Sequence, residues 1–407
     1  MYSGTNTMDK PLVITRLLTL LLLLTASLGS LAMPFSQCIE ELQQSAREQH
    51  MPEYIAGELL GQLRFQSRVI ELDRSQPEFT QTFADYLHKR VTTGRVERGQ
   101  KHFAEHREFL ADLTTRYGIP GRYLIAFWGL ETNFGSYLGK MPTLDVLATL
   151  ACDERRSDYF RSELMTALRV LEREKLTPKQ MQGSWAGAMG HTQFMPSAYE
   201  KYAVDGDGDG RVDLWHSRQD ALASAANFLK ELGWTYGERW GREVLLPRQF
   251  PWVSTGLAQP RPLRDWAALG VTDVEGSPLP ALAMPASILV PMGHTGPAFI
   301  AYDNFHTIMR WNFSESYAIA VGHLADRIAG GATLTGPLNA ATPELNPGLI
   351  TKMQIRLSAQ GFDTEGADGI IGPATRAALR DFQRANQLIA DGYPSLLTFT
   401  TLKIAVD

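Results

Sequence analysis

Apolar residues recur at three- and four-residue spacing through most of residues 38–180, as at Phe109, Leu110, Leu113 and Tyr117, and that period predicts helices. The segment after Gly118-Ile119-Pro120-Gly121 departs from a one-sided stripe. Tyr123, Leu124, Ile125, Phe127, Trp128 and Leu130 are apolar nearly all round, which predicts a helix through the middle of a core, closed by Glu131. From Pro247 to Pro297 the texture changes. Nine of the 22 prolines fall here, flanked or interrupted by β-rich runs at Val244-Leu245-Leu246, Ile288-Leu289-Val290 and Phe299-Ile300-Ala301, so an irregular insert with a small sheet is expected. The helical period returns from Tyr317 to Ile328. Gly330 to Gly348 is mostly Gly, Ala, Thr, Pro and Asn with Glu344 as its sole charge, the composition of a linker. The remaining residues, about 60, are enough for a small domain.

The 407-residue length suggests two or three domains, and 44% apolar with 20% charged residues is ordinary globular usage that excludes global disorder, collagen and an all-helical coiled coil. A net charge of −5 provides no basic field, so nucleic acid is not expected as a partner. Before the helical pattern lies a stretch of another kind. Lys10 and Arg16 precede a leucine-rich run from Leu17 to Leu24, and Ser30-Leu31-Ala32 ends it in a small-x-small boundary. This predicts a cleavable export signal over residues 1–32, with an apolar run too short for a stable membrane span. Its removal takes away Asp9, Lys10 and Arg16 and leaves −6. Cys38 follows Phe35-Ser36-Gln37, without the small residues of a lipoprotein site, which favours a soluble periplasmic protein over a lipid-anchored one. Cys152 is the only other cysteine, and two cysteines in an exported chain are expected to pair; two buried free thiols are the alternative.

Three segments could carry chemistry. Glu131 sits in Gly129-Leu130-Glu131-Thr132-Asn133-Phe134-Gly135, with Trp128 one turn earlier and Phe134 nearby. An apolar setting raises a carboxyl pKa and equips it as a general acid, although a helix-terminal Glu can also simply reach solvent. Gly183-Ser184-Trp185-Ala186-Gly187-Ala188-Met189-Gly190-His191-Thr192-Gln193 combines glycines that permit close backbone approach with two polar side chains. That suits a glycan groove, or tight packing alone. Asp205-Gly206-Asp207-Gly208-Asp209-Gly210-Arg211-Val212-Asp213 follows the start of a calcium loop, with acids at positions 1, 3, 5 and 9, Gly at 6, and the Arg211 carbonyl at 7. Position 12 is His216 rather than Glu, and the next acid is Asp220, where Ser217-Arg218-Gln219-Asp220 also has capping-box spacing.

Gly129 to Gly135, Gly183 to Tyr202 and Ala203-Val204-Asp205 together resemble, in order and spacing, the catalytic domain of the B-type lytic murein transglycosylases over roughly residues 35–330. Gln354, Leu357, Gly361, Phe362, Asp368-Gly369-Ile370-Ile371-Gly372, Thr375, Ala378, Phe382-Gln383 and Asp391-Gly392 resemble a three-helix peptidoglycan-binding domain. The resemblance implies a mainly α protein with a lysozyme-like catalytic domain and a small β-containing insert. The segments are then a signal at 1–32, a catalytic domain at 33–330, a linker at 331–347 and a binding domain at 348–407. It implies that Glu131 is the sole catalytic acid and base, and that Ser184, Gln193, Tyr199, Phe228, Asn304, Arg310 and Trp311 line the glycan site. Some relatives carry tyrosine in place of Phe228 and Trp311. It also implies that Asp220 completes a longer calcium loop with Asp205, Asp207, Asp209, Arg211 and Asp213.

The activity so implied is a periplasmic lytic transglycosylase that cuts between N-acetylmuramic acid and N-acetylglucosamine without water, leaving a 1,6-anhydro end, with no cofactor for catalysis and a structural Ca2+. The partners are glycan strands, with cell-wall synthesis proteins as a further class. A hydrolytic muramidase, or a noncatalytic wall-binding protein, would share much of this sequence. A second acid at Asp145, Asp153 or Glu154 also stays open at this level.

Overall fold

The structure, a computed structural model, describes residues 34–75, 81–338 and 345–406. Residues 1–32, where an export signal is expected, and part of the expected linker lie outside the described residues. Helices dominate. In chain order they are α1 (Phe35–Glu48), a π-helical turn (Tyr54–Leu59), α2 (Ser67–Ser75), α3 (Phe83–Arg90), α4 (Thr93–Glu105), α5 (Arg107–Tyr117) and α6 (Gly121–Thr132). Strand β1 (Met141–Pro142) leads into α7 (Thr143–Ala151) and α8 (Ser157–Arg173), and β2 (Gln182–Gly183) precedes α9 (Pro196–Tyr202) and α10 (Arg218–Glu231). The insert holds β3 (Gly241–Val244), β4 (Arg261–Pro262), α11 (Leu263–Ala268), β5 (Pro285–Leu289) and β6 (Ala298–Ala301). It is followed by α12 (Asp303–Trp311) and α13 (Glu315–Ile328). The last domain is α14 (Pro347–Ala359), α15 (Pro373–Ala385) and α16 (Leu396–Thr401). No helix among the described residues is long and apolar enough to cross a membrane.

Helix α6 is buried on every side from Tyr123 to Leu130, as its all-round apolar sequence predicts. It packs against α13, and both share a core with α10 and Phe305 of α12. A second core joins α1, α7, α8 and α9. The Cys38–Cys152 disulfide ties α1 to the end of α7 across 114 residues. Trp311 packs against both cores, so the end of α12 lies on the seam between two helical halves.

The insert forms an antiparallel sheet in the order β3-β6-β5-β4, and a separate core around Trp266, Ile288 and Ile300 holds it together. The chain beyond α13 does not begin as a free linker. The amides of Thr335 and Gly336 donate to the Glu243 carboxylate on β3, and Leu334 and Leu338 pack on the core around α6 and α13.

In the last domain one device appears twice. Gln354 Nε2 donates to Asp368 Oδ1 (2.9 Å) while its Oε1 accepts from the Gly369 amide, and Gln383 repeats both contacts with Asp391 Oδ1 and the Gly392 amide. Each buried glutamine thereby satisfies a tight Asp-Gly turn that the small core alone would leave unpaired. The second oxygen of Asp391 accepts from His294 Nδ1 (2.7 Å) and from the His294 amide, which docks this domain on the insert. A cleft of about 270 Å³ opens between the last domain and the helical body, walled by Phe83, Phe313, Ile370, Arg376 and Tyr393. It lies apart from Glu131 in its lining, but includes Ser314 to Ser316, just ahead of Tyr317.

Candidate active site

Glu131 stands one residue before the end of α6, and the chain then reverses through Asn133, Phe134 and Gly135, all at positive φ (52°, 61° and 77°). A left-handed Phe is unusual and holds only where its surroundings fix it. Here Phe134 packs edge-on against Trp128 and beside His102. Thr132 Oγ1 donates to the His191 carbonyl (2.7 Å) and accepts from the Gly135 amide (3.0 Å). A Cβ on Gly135 would come within 2.2 Å of the His191 ring, so glycine is required there by both space and φ. Trp128 Nε1 donates to His191 Nδ1 (3.1 Å), and burial pushes the His191 imidazole down to about 4, so it stays neutral and accepts. The segment 183–193 thus locks the end of the helix that presents Glu131.

The rings that reach the carboxyl are distant in sequence. Trp311 Nε1 donates to Glu131 Oε1 at 3.0 Å, and the Tyr317 hydroxyl donates to the same oxygen. Trp128 and Phe134, expected as its cover, instead pack on each other and on His102 and His191. Burial raises the Glu131 pKa, and the two donors, Tyr317 foremost, oppose that rise because they favour the charged form. Tyr317 is pushed well above its ordinary range by burial and by the Glu131 charge, so it remains a donor. Sequence reasoning missed Tyr317. It is separated from Glu131 by 186 positions, and α13 otherwise reads as a plain core helix.

Around Trp311 lies an aromatic wall. Its ring is 4.6 Å from Phe127, 5.1 Å from Phe228 and 5.5 Å from Phe194, and Tyr202 stacks on Phe228 at 4.6 Å. Of the residues expected to line a glycan site, Trp311 and Phe228 are therefore brought together beside Glu131. Ser184 is half-buried and its Oγ accepts from the amides of Ala186 and Ala188, while Gln193 spends Nε2 on the Leu138 and Gly190 carbonyls. Arg310 is exposed, with Nε on the Leu232 carbonyl.

Two of the expected residues do not face a groove. Tyr199 is fully buried with its hydroxyl on the Val212 carbonyl, and Asn304 is fully buried with its amide bridging Thr235 and Glu238. Both brace loops, since a buried polar group must find partners inside the protein. The glycines of 183–190 are packing residues too. Cβ atoms on Gly183, Gly187 and Gly190 would meet the Ala188 carbonyl, Leu147 and the Leu214 backbone within 2.5 Å.

The carboxylates of Asp205, Asp207 and Asp209 each offer an oxygen within 4.8 Å of the others. Asp205 accepts from the amides of Gly208 and Gly210, which hold its pKa low, the Gly210 amide most strongly. Asp220 differs from expectation. Its two oxygens accept from the amides of Gly206 (2.8 Å) and Asp213 (2.7 Å), so it clamps the loop's ends together, and Ser217 Oγ caps α10 by accepting from the Asp220 amide. Asp213 is likewise engaged by the amides of Trp215 and His216 and by His216 Nδ1. The three clustered acids suit a hard cation with oxygen ligands.

A family model for the transglycosylase SLT domain matches residues 34–326, and one for a peptidoglycan binding domain matches residues 347–402. The chain belongs to the transglycosylase SLT family. It is 35% identical over 245 residues to the membrane-bound lytic murein transglycosylase B of Escherichia coli (strain K12), a match that spans 60% of this chain and 66% of that protein. The crystal structure of SltB3 from Pseudomonas aeruginosa in complex with NAG-anhNAM-pentapeptide superposes with a TM-score of 0.87 at 39% identity, covering 91% of this chain and 100% of that one. The Escherichia coli lytic transglycosylase Slt35 in complex with calcium gives a TM-score of 0.63 at 32% identity, covering 73% of this chain and 93% of that one. The family member described here is accordingly a lytic transglycosylase, an enzyme acting on peptidoglycan glycan strands, with a mainly α, lysozyme-like catalytic domain and a helical peptidoglycan-binding domain. Such an enzyme works in the periplasm, where its polymer lies.

Proposed function

We propose that this protein cleaves the bond between N-acetylmuramic acid and N-acetylglucosamine without water, with Glu131 as acid and then base. The observation that carries the reading is a single carboxyl raised by burial yet held by two donors on one oxygen. Protonated Glu131 gives its proton to the bridging oxygen as the C1–O bond breaks and positive character grows at C1. The resulting carboxylate is received by Trp311 and Tyr317, whose hydrogen bonds strengthen as the charge appears. It then takes the proton of the C6 hydroxyl while that oxygen bonds to C1 and closes the 1,6-anhydro ring. Glu131 ends protonated, as it began, and no external co-reactant or cofactor is consumed.

Two of the three acids left open by sequence, Asp145 and Asp153, are occupied elsewhere. Asp145 accepts from the Arg64 amide and Gln66 Nε2, and Asp153 pairs with Arg74 at 2.7 Å, which supports one carboxyl doing both jobs. Ser184, Gln193, Phe228, Arg310 and Trp311 are the proposed glycan contacts, with Tyr199 and Asn304 holding the framework behind them. Asp205, Asp207, Asp209 and the Arg211 carbonyl are the proposed calcium ligands, completed by Asp213 and held in place by Asp220. Residues 1–32 are proposed as the removed signal, 33–330 as the catalytic domain, 331–347 as the linker and 348–407 as the wall-binding domain. The glycan strand is the one partner this reading assigns.

The test is mass spectrometry of muropeptides released from purified sacculi by the mature protein. Products lighter by one water than hydrolytic ends are expected. Ordinary reducing ends would make it a muramidase, and no release would reduce it to a wall-binding protein.

A further inference from the structure

Behind the helix that carries Glu131, the elbow between α4 and α5 gathers His102, Glu105 and His106 in the order His-x-x-Glu-His. The two histidines are four residues apart and therefore share one helix face, with the glutamate beside them. One ligand atom from each lies within 4.8 Å of the other two. The imidazole rings are nearly parallel, with centroids 6.1 Å apart, and His102 Nδ1 is 3.1 Å from Glu105 Oε2. His106 buries its Nε2 with no hydrogen-bond partner in the structure, which marks an imidazole whose needs the protein alone does not meet.

We propose that His102, Glu105 and His106 bind a divalent transition metal of the zinc class, separate from the acidic loop at Asp205. Two imidazoles and a carboxylate are the ligand types zinc takes, and the hard-cation loop at Asp205 offers oxygen alone. Zinc bonds of about 2.0–2.2 Å bring tetrahedral ligands to about 3.3 Å from one another. The separations here need only modest closure, which the exposed Glu105 can supply by leaving its 3.8 Å pairing with Lys101. Neutral imidazole is the ligating form.

The position gives the metal a structural consequence. His102 lies 4.8 Å from Trp128 and 5.2 Å from Phe134, the residues that fix the turn after Glu131. An ion at the elbow would clip α4 to α5 and set the surface on which that turn rests.

The experiment is isothermal titration of Zn2+ into the tag-free mature protein, with the acidic loop first saturated with Ca2+, accompanied by Co2+ absorption and thermal unfolding. One Zn2+ per chain is expected, with a raised midpoint and visible d–d bands for Co2+. His102→Asn should weaken binding on the order of 100-fold, since even outer-shell partners of a metal change affinity about 10–100-fold. Glu105→Gln is a second, more exposed variant that serves if His102→Asn unfolds, and it should weaken binding about 10-fold. Wild-type protein without a zinc heat, or folded variants that bind as wild type does, would overturn the proposal.

Discussion

Glu131 and Asp205 are both carboxyl groups that accept two or more hydrogen bonds, and their surroundings push them in opposite directions. Glu131 is raised by burial among aromatic rings and receives hydrogen bonds from side chains on α12 and α13. Asp205 is lowered by backbone amides of its own loop, from Gly208 and Gly210. In the first arrangement burial favours the neutral form and the two donors favour the charged one, as suits a proton donor that must also accept. The second fixes a negative charge where a cation can use it. What separates them is the origin of the partners: distant side chains brought together by packing in one, and local peptide groups in the other.

The sharpest way to break this contrast is Glu131→Gln. An amide keeps the shape but can neither give nor take the proton, so release of anhydro ends from sacculi should fall about 10²–10⁴-fold, read by mass spectrometry of soluble products. The same variant should gain stability relative to wild type as pH rises. Because the folded carboxyl has a raised pKa, the wild-type fold holds its proton more tightly than the unfolded chain does. Its stability therefore declines once pH passes the unfolded value of 4.5 and until it passes the folded one, whereas the glutamine variant escapes that decline. Parallel thermal melts across that range check the sign, and a constant gap between the two proteins would deny that burial loads Glu131.

The loop is tested by its metal. With calcium at about 100 times its dissociation constant, stabilisation of about 2.7 kcal/mol is expected relative to excess chelator, seen as a shift in melting temperature. Asp205→Asn should abolish the shift while leaving the chelated protein folded. An unchanged midpoint would mean that the amides of Gly208 and Gly210 serve the turn alone.

The same difference in origin explains what could be read in the chain. The acidic loop and the all-round apolar helix α6 are local patterns, and both are visible in a few consecutive residues. The niche at Glu131 is not, because Tyr317 donates from a helix whose sequence carries no sign beyond core periodicity. Trp311 enters only through resemblance to a family. Side-chain identity also says little about direction: Tyr199 and Asn304 look like site residues but turn inward, where the Val212 carbonyl and the Thr235–Glu238 turn use up their polar atoms. For Gly183, Gly187 and Gly190 the sequence allowed either a groove or tight packing, and the structure fills the space beside them with protein.

The finest test separates the two influences on Glu131. Burial raises its pKa while the Tyr317 hydroxyl and Trp311 indole lower it, Tyr317 more than Trp311. Tyr317→Phe removes the stronger donor but keeps the ring that fills the space beneath the carboxyl. The carboxylate loses stabilisation, the pKa rises further, and the acid form persists to higher pH. The alkaline limb of the activity profile should therefore move upward, while activity at its maximum falls because the carboxylate formed in the first step is less well received. Trp311→Phe should move the limb the same way by less. A limb that stays in place with Tyr317→Phe would show that its hydroxyl only positions Glu131; a limb that moves downward would show that the hydroxyl favours the neutral acid, and the contrast with Asp205 would then rest on burial alone.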